Sequence, residues 1–127
     1  MPAFGTETVL LVDDEEFIRE LGGRILSKAG YTVLAASNGM EALKLFAKEV
    51  SRVSLVLLDL IMPEMGGKEC LRELLQIDPQ AKVLVTSGYA AEVPVKECLE
   101  TGAKGFVGKP FRMKELLRQV RKALDEH

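Results

Sequence analysis

Leu55-Val56-Leu57-Leu58-Asp59 decides the fold of this chain. Four large apolar residues run unbroken into one carboxylate. Leu60-Ile61-Met62-Pro63 and then Gly66-Gly67 follow. An apolar run this short, bounded by turn signals, reads as a strand buried on both faces. Because the run ends on Asp, a charged group sits at the edge of the core. In an open parallel sheet, ligands bind at the C-terminal edge of the strands. Asp59 is therefore either a loop cap or a reactive group, and the flanking sequence has to choose.

Upstream, Thr8-Val9-Leu10-Leu11-Val12 is a second continuous apolar run, and it too ends on carboxylates, Asp13-Asp14-Glu15-Glu16. Negative charge suits the start of a helix. That helix carries Ile18, Leu21, Ile25 and Ala29 at three- and four-residue spacing and stops at Gly30. Tyr31 to Ala35 is a short β-rich run. Asn38 with Glu41 has the spacing of a capping box, and the helix behind it shows Ala42, Leu43, Phe46 and Val50 on one face. Residues 1–7 form a polar lead-in, loose at its start.

Downstream, a helix over about Gly67 to Ile77 shows Cys70, Leu71 and Leu74 and stops at Asp78-Pro79. Ala81 to Val85 reads as a fourth strand running into Thr86-Ser87-Gly88. A helix from about Glu92 to Thr101 has Pro94 in its first turn and ends at Gly102. Gly105-Phe106-Val107-Gly108 is the fifth strand, followed by Lys109-Pro110. The last helix, Met113 to Asp125, turns Met113, Leu117, Val120 and Leu124 inward. Arg112, Lys114, Arg118, Arg121 and Lys122 lie on its outer side. Strand and helix thus alternate five times. That pattern specifies an α/β fold, a doubly wound five-stranded parallel sheet with helices on both faces.

The bulk properties agree with one domain over residues 8–127. A chain of 127 residues buries roughly two thirds of its unfolded surface, enough for a core without staples. A net charge of -2 argues against a nucleic-acid-binding surface. Cys70 and Cys98 read as small buried side chains in a reducing cytoplasm. His127, the last residue, reads as a frayed end rather than a ligand. No apolar run approaches the roughly 18 residues of a membrane span, and the N-terminus has no signal-peptide pattern.

Function follows from what stands just past four of the five strands, the second ending on Ala35-Ala36 with nothing reactive: Asp13 and Asp14, then Asp59, Ser87 and Lys109. Taken singly, an acidic run is a solvated helix start, Lys-Pro a turn, and Thr-Ser-Gly a loop. Together they share one sheet edge. Three carboxylates converging there repel one another unless a cation joins them. Hard oxygen ligands suit Mg²⁺. An ammonium and a hydroxyl beside such a site are what a phosphoryl group needs, and a carboxylate can itself be the nucleophile.

In Val12-Asp13-Asp14-Glu15, Leu58-Asp59-Leu60-Ile61-Met62-Pro63, Val85-Thr86-Ser87-Gly88 and Lys109-Pro110-Phe111, the chain resembles a receiver domain of the two-component response-regulator family. The match covers nearly the whole chain. The resemblance implies a flavodoxin-like sheet of order 2-1-3-4-5 with five helices. It implies Asp59 as phosphoacceptor, supplied by a histidine kinase or a histidine phosphotransfer protein. It further implies Mg²⁺ held by Asp14, Asp59 and the backbone carbonyl of Ile61, with Asp13 acting through water. Lys109 would pair with the phosphoryl oxygens, across a cis bond to Pro110. Ser87, 28 residues after Asp59 and 22 before Lys109, fits the switch hydroxyl, and Phe106 the switch aromatic. Thr86 points to the other side.

Gly66 stands where the family often has Asp or Asn, a departure that touches only the loop. The family tunes self-dephosphorylation at the positions of Ile61 and Tyr89. Ile offers no hydrogen bond to an attacking water and Tyr is bulky, so the phosphorylated state is expected to be long-lived. The signalling surface would be the face of the fourth helix, fifth strand and fifth helix. It carries Phe106, Arg118 and Lys122, and a homodimer would form through it. Gly5-Thr6-Glu7-Thr8-Val9-Leu10 resembles the linker before receivers of hybrid sensor kinases. The chain ends with its fifth helix, as expected of a stand-alone receiver or one excised from such a kinase.

Three rivals are weaker. A haloacid-dehalogenase-like phosphatase wants a second Asp two residues after the nucleophile, where this chain has Ile61. A nucleotide or flavin domain wants a Gly-rich loop after the first strand, where this chain has four acids. A non-phosphorylated scaffold receiver would have no need of all the acceptor-site residues. The expectation is a cytoplasmic signalling phosphoacceptor rather than an enzyme, with no direct contact to nucleic acid or membrane.

Overall fold

Strand and helix alternate along the chain in the computed structural model, which describes residues 4–62, 65–88 and 92–126, with backbone alone for 92–94. The strands are β1 (Thr8–Val12), β2 (Thr32–Ala36), β3 (Val53–Asp59), β4 (Val83–Ser87) and β5 (Gly105–Gly108). The helices are α1 (Glu16–Lys28), α2 (Gly39–Lys48), α3 (Gly67–Ile77), α4 (Glu92–Thr101) and α5 (Met113–Asp125). Every strand pairing is parallel and the order is β2-β1-β3-β4-β5, as expected. The expectations for Pro63, Tyr89 and His127 lie outside the described residues.

The continuous apolar strands fill two cores, one on each face. Val56 and Leu58 of β3 meet Ala42 and Phe46 of α2, Cys70, Leu71 and Leu74 of α3, and Cys98 of α4. Leu55 and Leu57 meet Ile18 and Leu26 of α1 and Leu116, Val120 and Ala123 of α5. β1 divides in the same way, with Leu10 and Val12 on one side and Val9 and Leu11 on the other. Residues 55–58 are each 1% exposed or less. Burial of this kind stabilises by about 1.5–3 kcal/mol per side chain, so the central strand anchors both layers.

Helix ends follow local chemistry. Asn38 caps α2, its side chain accepting from the Glu41 amide at 2.8 Å. The return arm of this box differs from expectation: the Glu41 carboxylate takes the amide of Ser37, not that of Asn38. Gly30 and Gly102 follow α1 and α4 with φ of 103° and 136°, conformations that suit only glycine well.

Some boundaries and faces differ from the sequence reading. β2 begins at Thr32 rather than Tyr31, and β4 at Val83 rather than Ala81. α2 ends at Lys48, so Val50 lies beyond it and is 36% exposed instead of on its inner face. On α5, Met113 is exposed, and the buried stripe is Leu116, Val120 and Ala123 with Leu117 and Leu124 at its margin. Arg121 is not simply outward: it binds the Glu7 carboxylate, the Phe4 carbonyl and the Tyr31 hydroxyl. With Gly5 N–H donating to the Ala29 carbonyl at 3.2 Å, these contacts tie down residues 4–7 of the lead-in.

Candidate phosphoacceptor site

Three backbone hydrogen bonds carry the sheet ladder one residue past the strand ends. Asp13 N–H donates to Ala36, Leu60 N–H to Thr86 and Lys109 N–H to Ser87, at 3.1, 2.8 and 2.9 Å. The chemistry-bearing residues therefore stand on fixed backbone. The pleat then sorts their side chains. Asp13, Asp59 and Lys109 keep the phase of Leu11, Leu57 and Val107, on the side of α1 and α5. Ser87 keeps the phase of Val83 and Val85, on the side of α2 to α4, where the half-buried Phe106 also packs.

The loops hold this geometry. Glu15 N–H donates to Asp13 Oδ1 at 2.9 Å, and the Arg19 guanidinium to the Asp13 carbonyl at 2.7 Å. Ile61 N–H donates to Asp59 Oδ1 at 3.3 Å. Gly67 lies against the end of β3: a Cβ there would come within 2.6 Å of the Asp59 carbonyl oxygen and of the Leu60 Cα. The Lys109–Pro110 bond is cis, as expected.

Asp13, Asp14 and Asp59 each bring a carboxylate oxygen within 4.8 Å of the other two. Asp13 and Asp59 are buried and Asp14 is exposed. Lys109 Nζ stands 2.9 Å from Asp13, 3.3 Å from Asp59 and 3.4 Å from Glu15. Burial, reinforced by the charge of Asp13 and opposed by Lys109, pushes the Asp59 carboxyl up to about 6. Burial would lower the Lys109 ammonium, but its hydrogen bond to Asp13 and the nearby carboxylates outweigh this and hold it above its ordinary value. The cleft above these groups encloses about 570 Å³ and is lined by Asp14, Phe17, Ile18, Asp59, Ser87 and Lys109 among others.

One ammonium does not balance three converging carboxylates. Their oxygens are the hard donors that a small divalent cation prefers, and the exposed Asp14 leaves the cluster open to solvent. The residues present therefore fit Mg²⁺.

A family model described as the response regulator receiver domain matches residues 9–121. The chain belongs to the response regulator receiver domain family. It is 42% identical over 118 residues to the chemotaxis protein CheY of Thermotoga maritima, covering 90% of this chain and 97% of that protein. It is 39% identical over 122 residues to the sensor kinase CckA of Brucella abortus, covering 96% of this chain but 13% of the kinase. A chain of the CheX-CheY-BeF3-Mg²⁺ complex from Borrelia burgdorferi superposes with a TM-score of 0.90 at 31% identity, covering 94% of this chain and 90% of that one. As a receiver domain, the chain is a signalling phosphoacceptor of two-component phosphorelays. The acidic pocket is where such domains bind Mg²⁺.

The sequence reading named Asp13, Asp14, Asp59, Ser87 and Lys109 for this edge, and all five are there. Tyr89 lies outside the described residues. Ile61 is 59% exposed at the mouth and offers no second carboxylate, which disfavours the phosphatase reading. Three contributors were not named: Arg19, Glu15 as a partner of Lys109, and Gly67 as a packing constraint. Only the position of Gly67, after a strand-end loop, could have signalled its role. Cys70 and Cys98 are free and buried, and burial pushes the Cys70 thiol up to about 12, as inert core thiols require. Among the described residues no helix is long and apolar enough to cross a membrane.

Proposed function

We propose that Asp59 takes a phosphoryl group from the phosphohistidine of a histidine kinase or histidine phosphotransfer protein. The observation that carries this is the meeting of a buried Asp59 with Asp13, Asp14 and Lys109 in one open cleft. An Asp59 oxygen attacks phosphorus, the P–N bond breaks, and the electron pair leaves with the imidazole. Lys109 moves its hydrogen bonds from the carboxylates to the phosphoryl oxygens. The Ser87 hydroxyl donates to another oxygen. Asp14, Asp59 and the Ile61 carbonyl would hold Mg²⁺, with Asp13 acting through water. When bound, the ion supplies positive charge that offsets the carboxylates and the phosphoryl oxygens. That a similar Borrelia protein was solved with BeF3 and Mg²⁺ supports this assignment.

The output is a population shift. Lys109 and Ser87 favour the arrangement in which they meet the phosphoryl group, and Phe106, on the same side as Ser87, follows it inward. The face of α4, β5 and α5, with Phe106, Arg118 and Lys122, then binds a partner or a second copy. Residues 8–127 act as one receiver, a phosphoacceptor rather than a turnover enzyme, working in the cytoplasm. Likeness to a sensor kinase supports the reading of the lead-in as a hybrid-kinase linker.

The test is chemical mapping. Protein treated with acetyl phosphate and Mg²⁺ is reduced with borohydride and digested. The peptide bearing residue 59 should carry the reduced residue. Reduction at Asp13 or Asp14 instead would reassign the acceptor.

A further inference from the structure

Glu15 begins α1 as its N-cap residue, yet its side chain makes no capping hydrogen bond. It turns instead to the cleft, where Oε1 accepts from the Lys109 ammonium at 3.4 Å. Asp13 and Asp59 hold the same ammonium from within, with 1% and 2% of their side chains exposed. The Glu15 side chain is 61% exposed. Of the three carboxylates around Lys109 among the described residues, it alone can swing away into water without moving a strand.

We propose that Glu15 is a positioning residue that occupies Lys109 in the resting domain and is displaced when a phosphoryl group arrives. This rests on the reading of Asp59 as the acceptor. An anionic donor entering the cleft needs the Lys109 charge and meets the Glu15 charge beside it. With acetyl phosphate, the bond between phosphorus and the acyl oxygen breaks, acetate leaves with the electron pair, and the bond from Asp59 to phosphorus forms. Glu15 makes and breaks no covalent bond. It sets how much of the ammonium the donor sees, and so slows loading.

The experiment measures the rate of phosphorylation of the whole chain by acetyl phosphate in Mg²⁺ buffer. Glu15→Gln and Glu15→Ala should each load about two- to fivefold faster than wild type at low ionic strength, the effect of one exposed ion pair. The gain should shrink towards nothing in about 1 M salt, which screens an exposed charge. Glu16→Gln, the same charge change one residue on and away from Lys109, should show no such gain. Thermal melts identify any variant that fails to fold. Rates at or below wild type in both Glu15 variants, an equal gain in Glu16→Gln, or a gain indifferent to salt overturns the proposal and leaves the Asp59 reading standing. No loading of wild type itself overturns both.

Discussion

Lys109 and Asp59 form an ion pair of 3.3 Å in which 7% and 2% of the two side chains are exposed. The same ammonium serves Asp13 at 2.9 Å, so neither carboxylate has a full counter-charge to itself. Without a divalent ion, this arrangement sets function against stability. A phosphoacceptor carboxylate must be an anion at neutral pH, and the surroundings of Asp59 resist that.

The first prediction concerns pH. The folded Asp59 carboxyl is raised from 3.8 to about 6, so the folded state binds its proton more tightly than the unfolded chain. Its charge therefore costs stability above about pH 6, and the cost fades as pH falls towards 4. In EDTA at pH 7, Asp59→Asn should be more stable than wild type, by at most about 3 kcal/mol. The gap should close by about pH 4. Urea unfolding across that range checks it, and a gap independent of pH would count against the assignment.

The second concerns Gly67. A Cβ there meets backbone at 2.6 Å, whereas Gly66 has open space. Gly67→Ala should destabilise by about 1–3 kcal/mol, as overpacking does, and should slow phosphorylation because the displaced atoms belong to Asp59 and Leu60. Gly66→Ala should do neither. Denaturant midpoints and loading rates of the pair decide the matter.

How much of this was legible in the sequence depends on the range of the forces involved. Continuous apolar runs such as Leu55 to Leu58 announce buried parallel strands because both faces are covered. The acids after them announce the site because every parallel strand ends at one edge. The inner face of α5 was less legible. The stripes through Met113 and through Leu116 are offset by less than a turn, and only the neighbouring α1 and the sheet choose between them. The contact of Glu15 with Lys109 joins residues 94 apart in sequence, which no local pattern encodes.

The third prediction concerns the lead-in. Arg121 holds Glu7, the Phe4 carbonyl, Tyr31 and Asp125 together at the end of α5. The Thr32 amide beside it donates to the Glu7 carbonyl. Arg121→Ala should cost about 1 kcal/mol, more than an isolated surface pair because several bonds fail at once. Hydrogen exchange should accelerate at the Gly5 and Thr32 amides. Unchanged exchange there would mean that the lead-in is held by other contacts.

The fourth concerns lifetime. Ile61 is exposed at the mouth of the cleft with no group to orient a water. Once loaded, the domain should lose phosphate slowly for its family, and Ile61→Asn should shorten the lifetime. A phosphate-release time course is the check. A wild-type lifetime of seconds would contradict the expectation.

The central claim is that Asp59 carries the phosphoryl group. Intact mass spectrometry after incubation with acetyl phosphate and Mg²⁺ tests it directly. The account predicts one added phosphoryl group on the wild-type chain, lost when EDTA replaces the ion and absent from Asp59→Asn. Wild type that gains nothing, or Asp59→Asn that gains as much, would contradict it.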